Sequence, residues 1–298
     1  MRFDEDVRRC VGFVGQGGES DWRALGTCFF VSYKGCGYLV TARHIAEPIG
    51  DEPFVVRLNH ENGKDSIGLG FDLIDPKTHK AFRWHVHADE SVDIAIMPAN
   101  IGLRKMGCDT IALTEDMFAT EANLKNATIG VGDMCYAVGL FRLMTGRERN
   151  LPFVHTGHIG LMPGEERIPV RNWRRGPNEP ATIYVDGYLC ELTSLEGLSG
   201  SPVFVRASMD ISGMPIAGQP DVRVSYTDIM LLGVWQNAWE GEPDEHVIAR
   251  GAGLKVPVGV GSVAPVERLI EILEQPSAVA HREDFLERKR IANEAKPD

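Results

Sequence analysis

The sequence predicts an all-β fold: two antiparallel β-barrels or sandwiches in tandem, followed by one helix. Three observations predict it. Short apolar runs of about five residues recur along the chain, broken by Asn-Gly, Asp-Pro and Asp-Glu punctuation. They fall into two series, separated by residues 102–129, where the strand pattern fades. A clear 3.6-residue apolar repeat occurs only near the end of the chain.

Residues 1–22 carry charge and the run Gly15-Gln16-Gly17-Gly18, and are expected to form a loose lead-in. The first series fills residues 23–125. Residues 26–32 and 37–41 are rich in Phe, Val, Cys and Leu and read as a hairpin turning at Tyr33-Lys34-Gly35-Cys36. Residues 54–58, 67–74, 81–87 and 93–97 continue the strand pattern, and 114–125 is polar, mixed and partly helical. The second series fills residues 126–262, with strands expected at 133–139, 153–160, 183–192, 202–205, 229–236 and 253–258. Two connections, 163–180 and 206–227, are too long for tight turns, and long loops on a β scaffold commonly carry specificity. In the closing segment 263–298, Val266, Leu269, Ile270 and Leu273 follow Pro265 at i, i+3, i+4 and i+7, an amphipathic helix. Residues 281–298 are charged with no core-forming stripe, a helical or disordered tail.

The 298 residues suffice for one large or two small domains, and 43% hydrophobic with 24% charged residues is ordinary for a soluble globular chain. A formal net charge of −11 argues against broad binding to nucleic acid or anionic membranes. The segment Met1 to Arg9 has no apolar signal core, and no run approaches the roughly 20 apolar residues of a membrane span, so a cytoplasmic protein is expected. The six cysteines are scattered without a C-x-x-C pair and read as small buried apolar residues. A Cys28–Cys36 bridge across the hairpin is the alternative.

Gly197-Leu198-Ser199-Gly200-Ser201-Pro202 is a turn-rich hexapeptide between two apolar runs. It reads either as an ordinary tight turn or as a nucleophile loop. A serine hydroxyl needs a base to take its proton and a site for the charge formed on the attacked carbonyl. Gly197 lacks a Cβ and can aim its N–H, with that of Ser199, at one point. The base and its carboxylate must come from elsewhere. His44 ends the apolar run Tyr38-Leu39-Val40-Thr41-Ala42, and Asp93 opens the apolar run Ile94-Ala95-Ile96-Met97. His60 is an alternative base, but it precedes the turn Glu61-Asn62-Gly63. His85, His87, Asp89 and Glu90 fit a metal set less well than a polar edge strand and turn, and His155 and His158 fall on opposite strand faces.

Thr41-Ala42-Arg43-His44, then Asp93-Ile94-Ala95, then the Ser199 hexapeptide, in that order, resemble the trypsin-like (chymotrypsin-fold) serine peptidases, especially bacterial Deg/HtrA-type domains without a PDZ domain. The segments 131–139, 156–160, 232–235, 251–257 and the helix 265–273 match the second-barrel framework, so the resemblance covers about residues 24–274.

The resemblance implies two tandem six-stranded antiparallel Greek-key barrels and a C-terminal helix, with His44 and Asp93 on the first barrel and Ser199 on the second. It implies a serine endopeptidase with His44, Asp93 and Ser199 as catalytic residues and the N–H groups of Gly197 and Ser199 as oxyanion hole. No metal or organic cofactor is needed. It places Thr193 at the base of the primary specificity pocket, with Gln236 and Ala238 on its walls, so an uncharged residue is expected before the scissile bond. Leu198 stands where many family members carry an aspartate that pairs with a newly cut N-terminus, so activation by cleavage after Arg9 is not expected. The expected partners are a polypeptide substrate and a protein that delivers it or activates the enzyme, with the charged tail as its dock. A trypsin-like fold kept as a silent binding module is the competing function class. An esterase of the α/β-hydrolase kind is disfavoured because a strand, not a helix, follows Ser199.

Overall fold

Residues 5–17, 22–71, 84–173, 180–192, 197–206, 229–241 and 256–294 are described by the structure, a computed structural model. The first half is a sheet of eight strands: β1 (Val11–Gln16), β2 (Arg23–Tyr33), β3 (Cys36–Thr41), β4 (Phe54–Asn59), β5 (Ser66–Phe71), β6 (His85–Val86), β7 (Ala95–Pro98) and β8 (Leu113–Thr114). Their order across the sheet is β5-β4-β1-β2-β3-β7-β6, all antiparallel, with β8 added in parallel on β2. Among the described residues this sheet does not close into the expected first barrel.

The expected loose lead-in is corrected by β1, which lies inside the sheet. Val11 pairs with Phe29 and Val14 with Val56, and Val11, Phe13 and Val14 are buried. The β2–β3 hairpin forms as expected. Lys34 and Gly35 both have positive φ, 45° and 80°, the two-residue turn whose twist suits paired strands. Cys28 pairs with Thr41 and Cys36 with Tyr33, at opposite ends of that hairpin, so the alternative of a bridge is overturned. All six cysteines are free and buried.

The second half is a closed six-stranded barrel. Its strands are β9 (Met134–Gly139), β10 (Phe153–Leu161), β13 (Tyr188–Glu191), β14 (Pro202–Arg206), β15 (Ile229–Gly241) and β16 (Val256–Pro265). Around the barrel they run β10-β13-β16-β15-β14-β9. The strand expected over 183–192 is instead two, β12 (Thr182–Val185) and β13, because Asp186 turns away to accept the N–H of Gly164 at 2.8 Å. β12 pairs outside the barrel with β11 (Ile168–Arg171), inside the long 163–180 connection.

Short helices join the sheets. α1 (Arg43–Ile49) follows β3, and α2 (Glu121–Asn126) lies in the connection between the halves, where the Thr120 hydroxyl caps it by accepting from Asn123 N. At the end of the chain α3 (Val266–Leu273) buries Val266, Leu269, Ile272 and Leu273, as its amphipathic pattern requires. α4 (Pro276–Glu294) makes the charged tail a helix as far as residue 294, where the described residues end. It docks through one buried guanidinium: Arg282 donates to Leu273 O (2.8 Å) and to Glu274 (3.0 Å), with its charge 5.5 Å from the Tyr33 ring centre. Among the described residues no helix is long and apolar enough to cross a membrane.

The largest apolar cluster lies between the halves, where Val40, Ile94 and Ile96 of the sheet meet Phe204, Val234 and Ala264 of the barrel and Leu269 of α3. Burial also disfavours the charged form of two imidazoles. His155 is pushed below its ordinary value of 6.5 by burial. His85 is lowered by burial first and by the charge of His281 second. A histidine whose folded pKa is depressed stabilises the fold above its ordinary value and withdraws that contribution as pH falls through the folded pKa. Denaturant unfolding should therefore show lower stability at pH 5.5 than at pH 7.5, and His155→Leu should flatten that difference.

Candidate active site

Asp93 is fully buried between Val92 and Ile94, at the entrance to β7. An isolated carboxylate there would be costly. Both of its oxygens are engaged by one residue: Oδ2 lies 2.6 Å from His44 Nδ1, and Oδ1 accepts the His44 backbone N–H at 2.8 Å. That N–H belongs to the first turn of α1, whose amides have no partner within the helix. Asp93 thus caps the helix and orients the ring it carries. The sequence placed His44 at a strand-to-loop edge; the structure places it in a helix instead. Ile45, Ala46 and Ile49 supply the buried face, while Ala42 O accepts from Ile45 N and Ala46 N.

The Ser199 loop belongs to the barrel but is sewn to the first sheet. Thr27 N donates to Ser199 O (3.0 Å), and the Thr27 hydroxyl donates to Gly197 O (2.9 Å) while accepting from Leu140 N (2.7 Å). Thr41 Oγ1 in turn donates to Thr27 O at 2.7 Å. Both threonines are fully buried. Sequence reasoning passed over Thr27 and gave Thr41 no role beyond opening the His44 motif; a hydroxyl amid apolar strand residues is the signal that marks each.

These contacts bring the loop to the corner where β3 becomes α1. A methyl on Gly26 would touch both Ser199 O (3.0 Å) and the Ile45 side chain (3.1 Å), the residue after His44. Ser199 itself is half-buried, and Leu198 packs fully into the barrel core. Ser201 N donates to Leu198 O at 2.8 Å, closing a turn whose third residue, Gly200, has φ +81°. Gly197, at φ +106°, also has a backbone that side-chain-bearing residues avoid. At Gly200 a Cβ would lie 2.4 Å from Thr27 O and 2.7 Å from Ala42 N, both backbone atoms. Gly200→Ala should therefore destabilise the protein by about 3 kcal/mol in denaturant unfolding, since the φ penalty and the clash act together.

Of the pocket residues, Thr193 lies outside the described residues, as does the 207–228 stretch of the long insert. Gln236 is buried and its Oε1 has no hydrogen-bond partner, and Ala238 is half-buried on β15. The other histidines weighed as base or metal ligand on the first half of the chain are held elsewhere. His60 Nδ1 accepts from Asn62 N in its turn, His85 reaches Ser277 Oγ (3.1 Å) and His87 reaches Glu271 (2.6 Å), so the last two dock the C-terminal helices. Arg9, after which a cut was not expected, binds Asp109 at 2.7 Å, and Cys10 and Val11 beyond it are buried.

The closed barrel, the antiparallel sheet and the closing helix form a trypsin-like fold. Among solved structures, the MamO protease domain from Magnetospirillum magneticum superposes with a TM-score of 0.51 at 14% identity, over 92% of this chain and 100% of that one. The HtrA-type protease AlgW with a decapeptide gives 0.49 at 15% identity, over 93% of this chain and 66% of that one. The Rv3671c protease from M. tuberculosis in its active form gives 0.43 at 18% identity, over 90% and 80%. The MamO superposition carries the assignment of fold; at 14% identity it does not carry an activity. No family model matches the chain, and no curated protein matches it in sequence.

Proposed function

We propose that the protein is a serine endopeptidase in which Ser199 is the nucleophile, His44 the general base and acid, and Asp93 the group that orients His44. The observation that carries this reading is the double engagement of buried Asp93 by His44, beside a Ser199 loop fastened to the same corner of the sheet. His44 Nδ1–H donates to Asp93, which makes Nε2 the nitrogen that takes the Ser199 proton as the hydroxyl attacks a peptide carbonyl. The N–H groups of Gly197 and Ser199 receive the oxyanion, each worth about 3 kcal/mol. His44 then protonates the leaving amine, and water releases the acyl group by the same route in reverse.

The residue before the scissile bond is uncharged in this reading, because Thr193, Gln236 and Ala238 offer no charge to pair with one. No cleavage of the enzyme itself precedes activity, which agrees with the buried Leu198 and with Val11 paired inside the sheet. The test is labelling of the uncut protein by a fluorophosphonate, with the modified peptide located by mass spectrometry. A label on Ser199 that His44→Ala abolishes supports the reading. Absence of any label on Ser199 overturns it in favour of a silent binding module.

A further inference from the structure

The loop from His87 to Val92 delivers Asp93 to its place; Val92 at its end packs into the apolar cluster between the halves, while residues 88–90 are exposed. One side of the loop borders a cavity of about 480 Å³, lined by Asp89, Ser91 and Val92 together with Gly164, Asp186 and Arg268. The exposed part of the loop is held by polar contacts centred on His87. Asp89 N donates to His87 Nδ1 at 2.9 Å, so that nitrogen carries no proton and Nε2 bears the hydrogen. Nε2 lies 2.6 Å from Glu271 Oε2 of α3, and the His87 carbonyl accepts from Arg43, the neighbour of His44, at 3.5 Å. Within the loop, Asp89 Oδ1 accepts Ser91 N (2.8 Å) and Asp89 O accepts Val92 N (3.2 Å), which leads directly to Asp93. Glu271 is fixed from behind: Arg268 donates to both its oxygens at 2.9 and 3.0 Å and to Asp186 of the β12–β13 turn at 3.2 Å.

We infer that His87 is a positioning residue, a second histidine–carboxylate pair through which α3 holds the Asp93 loop and so sets the aim of His44. The inference rests on the proposed endopeptidase only for its kinetic readout. Asn at position 87 keeps an acceptor for Asp89 N–H near the place of Nδ1 but cannot reach Glu271, so His87→Asn isolates the tether from the turn. Glu271→Ala removes the same tether from a half-exposed helix position, and Glu271→Gln keeps an acceptor there.

The test measures two quantities on the full chain: peptide hydrolysis, and the nuclear magnetic resonance signal of the His44 Nδ1 proton, identified by its loss in His44→Ala. His87→Asn and Glu271→Ala should each lower kcat about tenfold with KM changed less than about threefold, and the double variant should lose no more than either alone. Each should also shift or broaden the His44 signal, while Glu271→Gln restores both readouts. Independent losses that multiply in the double variant, or a His44 signal unchanged in His87→Asn and Glu271→Ala, overturn the inference. Should the parent protein cleave nothing, the endopeptidase reading falls by itself, and the His44 signal still decides the role of His87.

Discussion

Ser199→Ala and His44→Ala should each lower kcat by about 10⁶-fold, and the double variant should fall little further. The losses overlap because the two side chains perform one act. Without its base the hydroxyl stays protonated, and without the hydroxyl the base has nothing to activate. A residual acceleration of about 10³-fold over water should survive from the oxyanion donors and substrate binding. Both changes leave the loop backbone alone: the Thr27 bonds run to Ser199 O and Gly197 O, main-chain atoms that alanine retains. Thermal unfolding of Ser199→Ala should therefore match the parent. Equal hydrolysis by Ser199→Ala and the parent, in protein purified free of host proteases, would sink the assignment.

Asp93→Asn is expected to cost about 10⁴-fold in kcat at neutral pH. The mechanism is a change of tautomer. The carboxylate accepts both from His44 Nδ1 and from the His44 backbone N–H. An asparagine oxygen serves only one of them, and its NH₂ group then faces the other. If the oxygen keeps the backbone contact, the amide N–H points at Nδ1, which must shed its proton and move it to Nε2. The nitrogen that should take the serine hydrogen is then already occupied. Activity should recover in part as pH rises enough for hydroxide to act as base. A variant that retains parental kcat at pH 7 would show that Asp93 only caps the helix.

The pairing of His44 with Asp93 was legible because both residues sit where apolar strands stop. His44 and Asp93 are polar residues at the ends of runs that otherwise belong in a core, and the structure brings these two within 2.6 Å. The helix bearing His44 was not legible: three buried residues in seven, with Pro48 among them, give too short a pattern for a 3.6 period. The first strand was misread for the opposite reason. Its glycines look like a linker, yet Gly15 is there because a Cβ would stand 2.4 Å from Arg23 O. The tail stayed open between helix and disorder because α4 docks by the buried Arg282 with only Ala278 and Phe285 as apolar contacts, too few for a stripe. The first barrel implied by the resemblance remains an open sheet among the described residues.

The stitching of the Ser199 loop to Thr27 has a consequence for biosynthesis. His44 and Asp93 are translated early and Ser199 more than a hundred positions later, and the later segment takes its shape partly from the earlier one. Under the proposed chemistry a nascent chain has no cutting power until its last strands emerge and lock onto what is already folded. Fragments released by a stalled ribosome would be inert, and co-expressed halves would regain hydrolysis only on assembling with each other.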